Sequence, residues 1–172
     1  MGLNNREDEK VMSLSLRENL QTVADPVHLQ SSVEEVFATM LGAQCEMVPC
    51  AGSTPTETIT SVVGFGGVLT GACVFRCSEA TALAIAARLT GMSFTELDDT
   101  VKDAIGEIGN MLAGAWKGKV PELSARCGLS IPAVITGSNY NIHVQAPEFR
   151  LHHCYRFDAS VFEVTIICDG LQ

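Results

Sequence analysis
The stretch TITSVVGFGGVLTGACVF, residues 58–75, constrains the fold more than any other part of the chain. Two β-branched runs, 59–65 and 68–75, flank Gly66-Gly67. A link that short cannot carry a crossover, so the two strands must pair antiparallel as a hairpin. The pattern upstream is different. Apolar residues recur at Leu29, Val33, Val36, Phe37, Met40 and Leu41, in the steps of three and four that define one helix face. Gly42 is the natural stop for that helix. A strand over 44–50 and a loop around Pro55 separate it from the hairpin.

After the hairpin, Ser78-Glu79 opens an Ala-rich helix that runs through Leu89 and ends near Gly91. A second helix follows Asp98-Asp99-Thr100 and extends to about Lys119. Three further strands are predicted, over 129–136, 141–145 and 159–168. The order is therefore α-βββ-αα-βββ. Strands in blocks with short links favour an α+β fold, with an antiparallel-rich sheet and the long helices packed on one face. The chain of 172 residues reads as one domain over 26–172. Residues 1–25 are polar, with the charge run Arg6-Glu7-Asp8-Glu9-Lys10, and are expected to form a tail or leader helix outside the core.

The helix beginning near residue 101 carries the polar residues that most invite a function. With Asp103 at 0° and each residue advancing about 100°, Ile105, Ile108, Leu112, Ala115 and Trp116 define a buried face. Asp103, Glu107, Asn110 and Lys117 line the opposite ridge, and Glu107 and Asn110 stand one turn apart. The same helix holds Gly106, Gly109, Gly114 and Gly118. Each interior glycine costs about 1 kcal/mol relative to alanine. Gly106, Ala113 and Gly114 lie on or beside the ridge, where small residues let a partner's backbone approach. Gly109 lies nearer the buried face, where close packing on a sheet explains it.

Within DAIGEIGNMLAG the pattern Asp103-x3-Glu107-x2-Asn110, with Pro132 downstream, resembles the signature of the CheX, CheC and FliY family of chemotaxis phosphatases, CheX most of all. The segments SVEEVFATMLG and GVLTGACVF extend the resemblance, which covers roughly residues 27–168. The resemblance implies dephosphorylation of a CheY-type response regulator. Asn110 would orient the attacking water, Glu107 would hold the regulator's phosphate-site lysine, and Asp103 would play a supporting part. It implies no cofactor in this chain, since the regulator supplies Mg²⁺ and the phosphoryl aspartate. It also implies a homodimer. Some relatives carry a second Glu/Asn pair on the first long helix. Here Glu35 is followed three residues on by Ala38, so a single active ridge is expected. A non-catalytic module that binds a receiver domain through the same ridge remains the alternative.

Other classes of function find little in the chain. Eleven Lys and Arg stand against 20 Asp and Glu, a formal net charge of −9 that repels nucleic-acid backbones. No apolar run has the length of a membrane span, and MGLNNREDEK lacks the apolar segment of a signal peptide. A cytoplasmic location follows as the expectation. Seven cysteines cannot all pair within one chain, and most sit in apolar runs where a reduced thiol packs as a small hydrophobe. His152-His153-Cys154 invites a metal, but neighbours on a strand point to opposite faces and the sequence offers no companion ligands. No metal site is expected. There is no G-x-S-x-G elbow, and Gly64-Phe65-Gly66-Gly67 sits between strands, where a hairpin turn rather than a phosphate loop belongs.

Overall fold
The computed structural model describes residues 20–51 and 57–171. Among the described residues two helices come first, α1 (Leu20–Val23) and α2 (Pro26–Leu41). Strands β1 (Glu46–Val48), β2 (Thr58–Gly67) and β3 (Leu69–Ser78) follow, then helices α3 (Glu79–Thr90), α4 (Asp99–Lys119) and α5 (Pro121–Ser124). Strands β4 (Cys127–Leu129), β5 (Ala133–Gly137), β6 (Phe149–Phe157) and β7 (Ser160–Leu171) complete the chain. The strands form one seven-stranded antiparallel sheet in the order β1-β6-β7-β3-β2-β4, with β5 also on β2. This is the α+β class that the sequence predicts.

Local signals account for the helix ends. Asp25 accepts a hydrogen bond from the Val27 amide at 2.9 Å, and Pro26 occupies the first turn, where its missing N–H costs nothing. Gly42, with φ of 57°, closes α2 in the left-handed conformation. Ser78 caps α3 through the Thr81 amide at 3.2 Å, and Asp98 caps α4 through the Val101 amide at 2.9 Å. The hairpin forms as predicted, but its turn is centred on Val68, while Gly66 and Gly67 end β2 and pair with β4. A Cβ on Gly67 would sit 2.3 Å from the Arg126 carbonyl oxygen, and its φ is 112°, so only glycine fits.

The long helices lie on one face of the sheet. Phe37 of α2 stacks on Phe162 of β7 with ring centroids 4.4 Å apart, and Trp116 of α4 tilts against Phe65 of β2 at 5.2 Å. Ile105, Ile108, Leu112 and Trp116 are fully buried. Side chains of this kind contribute about 1.5–3 kcal/mol each when removed from water.

Four details depart from the sequence reading. The strand expected over 129–136 divides into β4 and β5 around Pro132, which has no amide to give a ladder. Residues 141–145 are not a strand. Both edges of β7 are taken, by β3 and β6, so this alternating segment does not pair with it. It follows Tyr140, whose hydroxyl lies 2.5 Å from Thr60 Oγ1 and whose ring sits under Arg76, on the sheet face away from the helices. The neighbour of β7 is instead β6, FRLHHCYRF, whose charged far-face residues hide its alternation. Lastly, Val23 is fully buried in the core, so the packed domain reaches further towards the N-terminus than residue 26. Of the tail or leader helix expected over 1–25, residues 1–19 lie outside the described residues.

Candidate active-site ridge
Helix α4 is seated by its small residues. A Cβ on Gly109 would lie 2.2 Å from Ser61 Oγ and 2.8 Å from Ser61 Cβ, closer than carbon atoms pack. The glycine therefore lets α4 rest on β2, and this close approach fixes the rotation of the helix. Glu107 and Asp103 are turned outward and exposed, while Asn110 is half-buried. Glu107 and Asp103 take no part in the ion pairs among the described residues, so their carboxylates are free for another molecule.

The flank of the ridge differs from expectation. Gly106 and Ala113 are buried. A Cβ on Gly106 would meet Val134 Cγ2 at 3.4 Å and Pro132 Cβ at 3.6 Å, and one on Gly114 would meet Leu129 Cδ1 at 3.9 Å. These small residues seat β4 and β5 against the helix rather than opening a path for a partner's backbone. Pro132 thereby comes to stand beside the ridge, one residue round the helix from Glu107. Next to it Ile131 is 89% exposed. Sequence reasoning missed this apolar neighbour, because nothing in the pattern marks which turn β4 and β5 face. Lys117, expected on the ridge, instead donates from Nζ to the Cys127 carbonyl at 2.5 Å and ties α4 to β4.

The protein-family model described as "Chemotaxis phosphatase CheX" matches residues 59–154, which span β2 to β6 and include the whole of α4. The chain belongs to the CheX family. A curated relative, the "CheY-P phosphatase CheX" of Thermotoga maritima, is 30% identical over 122 residues, covering 66% of this chain and 76% of that protein. Among solved structures, CheX from Vibrio vulnificus superposes with a TM-score of 0.72 at 20% identity, covering 85% of this chain and 97% of that one. A chain of the CheX–CheY–BeF3–Mg²⁺ complex from Borrelia burgdorferi gives 0.68 at 22% identity, covering 83% and 96%. These structural likenesses extend to the fold.

Within this CheX-family fold, Glu35 of the first long helix forms an ion pair with Lys119 at the end of α4, and Ala38 follows it three residues on. Burial raises most of the thiols that the sequence reading treats as packing groups. Cys73 and Cys45 are pushed up to about 12, Cys45 with help from Glu34 and Asp158, and Cys168 to about 11. Two cysteines behave otherwise. Cys50 and Cys154 are joined as a disulfide, and His152 lies with them. The companion ligand that the sequence did not reveal is Cys50, 102 residues before His152. The i, i+2 spacing of His152 and Cys154 on one strand face was the available signal. Among the described residues no helix is long and apolar enough to cross a membrane.

Proposed function
We propose that the chain hydrolyses the aspartyl phosphate of a CheY-type receiver domain, with Asn110 and Glu107 as the working pair. The observation that carries this reading is the exposed, unpaired ridge of α4. Glu107 and Asn110 stand one turn apart on a helix whose rotation Gly109 fixes against β2. The family membership and the CheY partner of the Borrelia burgdorferi relative support it.

Aspartyl phosphates are reactive, so hydrolysis mainly requires in-line positioning and charge balance. The Asn110 amide carries both an acceptor and donors. Its oxygen accepts from the attacking water while its N–H₂ donates toward phosphoryl oxygens. The water adds to phosphorus, the bond to the aspartyl oxygen breaks, and the receiver's carboxylate is released with inorganic phosphate. A carboxylate at 110 would be repelled by the same oxygens. Glu107 pairs with the receiver's lysine and aligns the two proteins. Asp103, one turn before Glu107, adds negative potential on the same side. Mg²⁺ enters with the receiver, as in the relative's complex, and no cofactor of this chain is required. The reading carries with it a cytoplasmic location.

The test is phosphate release from a phosphorylated receiver domain with this chain at catalytic, substoichiometric amounts. Multiple turnovers are expected. Asn110→Ala should lower the rate by about 10²-fold or more and leave affinity for the phosphorylated receiver nearly intact, because the interaction belongs to the transition state. Near-parental turnover by Asn110→Ala removes the amide from the mechanism. Binding without turnover in the parent chain leaves a non-catalytic receiver-binding module.

A further inference from the structure
We infer that Cys50, His152 and Cys154 form a zinc site when the two cysteines are reduced, with the Glu163 carboxylate as fourth ligand. Three neighbouring strands build it on the sheet face away from α4. Val48 of β1 pairs with Cys154 of β6, so the chain leaving β1 delivers Cys50 beside His152. In the β6–β7 register His152 stands opposite Thr165, and Cys154 opposite Glu163. The ligand atoms of Cys50, His152 and Cys154 lie within 4.8 Å of one another, and the Glu163 carboxylate stands beside that group through its approach to His152.

The separations suit a tetrahedral ion. His152 Nε2 is 3.5 Å from Cys50 Sγ and 3.6 Å from Glu163 Oε2. Zinc bonds of about 2.3 Å to sulfur and 2.0–2.1 Å to nitrogen and oxygen, at tetrahedral angles, separate such ligands by roughly 3.4–3.6 Å. The imidazole is also braced as a ligand should be. Its Nδ1 is 2.8 Å from Thr165 Oγ1, and when Nδ1–H donates there, the Nε2 lone pair faces the thiols. Arg76 holds the other carboxylate oxygen of Glu163 at 3.4 Å and orients it. His152 and Glu163 line an open cavity of about 500 Å³, which gives an ion a way in. Two thiolates and an imidazole form a set suited to Zn²⁺ rather than to hard cations such as Mg²⁺.

The chemistry balances simply. An external dithiol passes two electrons and two protons to the Cys50–Cys154 bond and itself closes to a disulfide. The two thiols then lose their protons as Zn²⁺ binds, and the sulfur atoms move apart to about 3.8 Å. Bound zinc would hold the exit of the edge strand β1 to β6, as the disulfide does in the oxidised chain.

The experiment uses the full chain, reduced with a dithiol and freed of it without oxygen, then titrated with Co²⁺ followed by Zn²⁺. One equivalent of Co²⁺ should produce thiolate-to-cobalt absorption and tetrahedral d–d bands, which Zn²⁺ then displaces. His152→Ala and Cys154→Ser should abolish the bands. Thr165→Val leaves every ligand in place and should weaken Zn²⁺ binding 10- to 100-fold. Zinc should raise the melting temperature of the reduced chain and leave that of Cys154→Ser unchanged. A reduced chain that gives no cobalt bands would make Cys50–Cys154 a disulfide alone and overturn the site. Bands that persist in His152→Ala and Cys154→Ser would overturn it as well.

Discussion

Alanine at position 109 tests how α4 is seated, and with it what aims the ridge. The added Cβ would lie 2.8 Å from Ser61 Cβ and 2.2 Å from Ser61 Oγ, with Val63 Cγ2 at 3.8 Å. The hydroxyl can rotate away, but Ser61 Cβ is attached to β2 and cannot. Restoring a carbon–carbon contact of about 3.8 Å requires α4 to rise by roughly 1 Å. Ile105, Ile108, Leu112 and Trp116 rise with it and lose contact with the sheet. Because Ser61 Cβ cannot move aside, the overpacking cost falls in the upper part of the usual range, about 2–3 kcal/mol, and alanine's helix propensity returns about 1 kcal/mol. A net loss of about 1–2 kcal/mol is expected, a drop in melting temperature of roughly 2–8 °C for a domain of this size. Urea unfolding at neutral pH, followed by circular dichroism, measures it. Ser61→Gly combined with Gly109→Ala removes both obstructing atoms and should recover most of the loss; Ser61→Ala leaves the Cβ and should recover little. Gly106→Ala is the internal control. Its Cβ meets Val134 and Pro132 at ordinary distances of 3.4 and 3.6 Å, so alanine should stabilise there by up to about 1 kcal/mol. A Gly109→Ala chain as stable as the parent would refute the seating of α4 on Ser61.

Glu107→Ala should weaken binding to a receiver carrying a stable phosphate mimic, and raising the salt concentration should narrow the gap between variant and parent; equal affinities at low salt would remove its docking role. Thiol titration of the unfolded but unreduced chain should count five cysteines, and seven after reduction, since Cys50 and Cys154 are bonded. Burial pushes Cys73 up to about 12 from an ordinary 9.0, so its thiol ionises first in the unfolded chain. The stability this thiol contributes is present below pH 9 and is lost as pH rises from about 9 towards 12, a fall that melting curves across that range should follow. The chain should run as a homodimer in light scattering at micromolar concentration, and a monomer throughout would refute that expectation.

Short-range physics made much of this protein legible from its residues. A helix face repeats every three to four residues, so the buried side of α4 and the opposite ridge of Asp103, Glu107 and Asn110 followed from spacing alone. Caps and glycines act on the adjacent turn, and Asp98, Ser78 and Gly42 end or begin elements where the pattern puts them. Gly109 could be assigned to close packing because its angle on the helix faces the sheet. Strand pairing is different in kind, because the partner is chosen by distant residues. The alternation of 141–145 predicts a strand equally well whether or not an edge is free, and only the assembled sheet shows β7 already flanked by β3 and β6. The same holds for Gly106, whose neighbours Pro132 and Val134 arrive through the pairing of β5 with β2. It holds most plainly for Cys50, which sequence leaves 104 residues from Cys154 and tertiary structure bonds to it. Proximity between remote residues depends on register across several strands, and no local pattern encodes it.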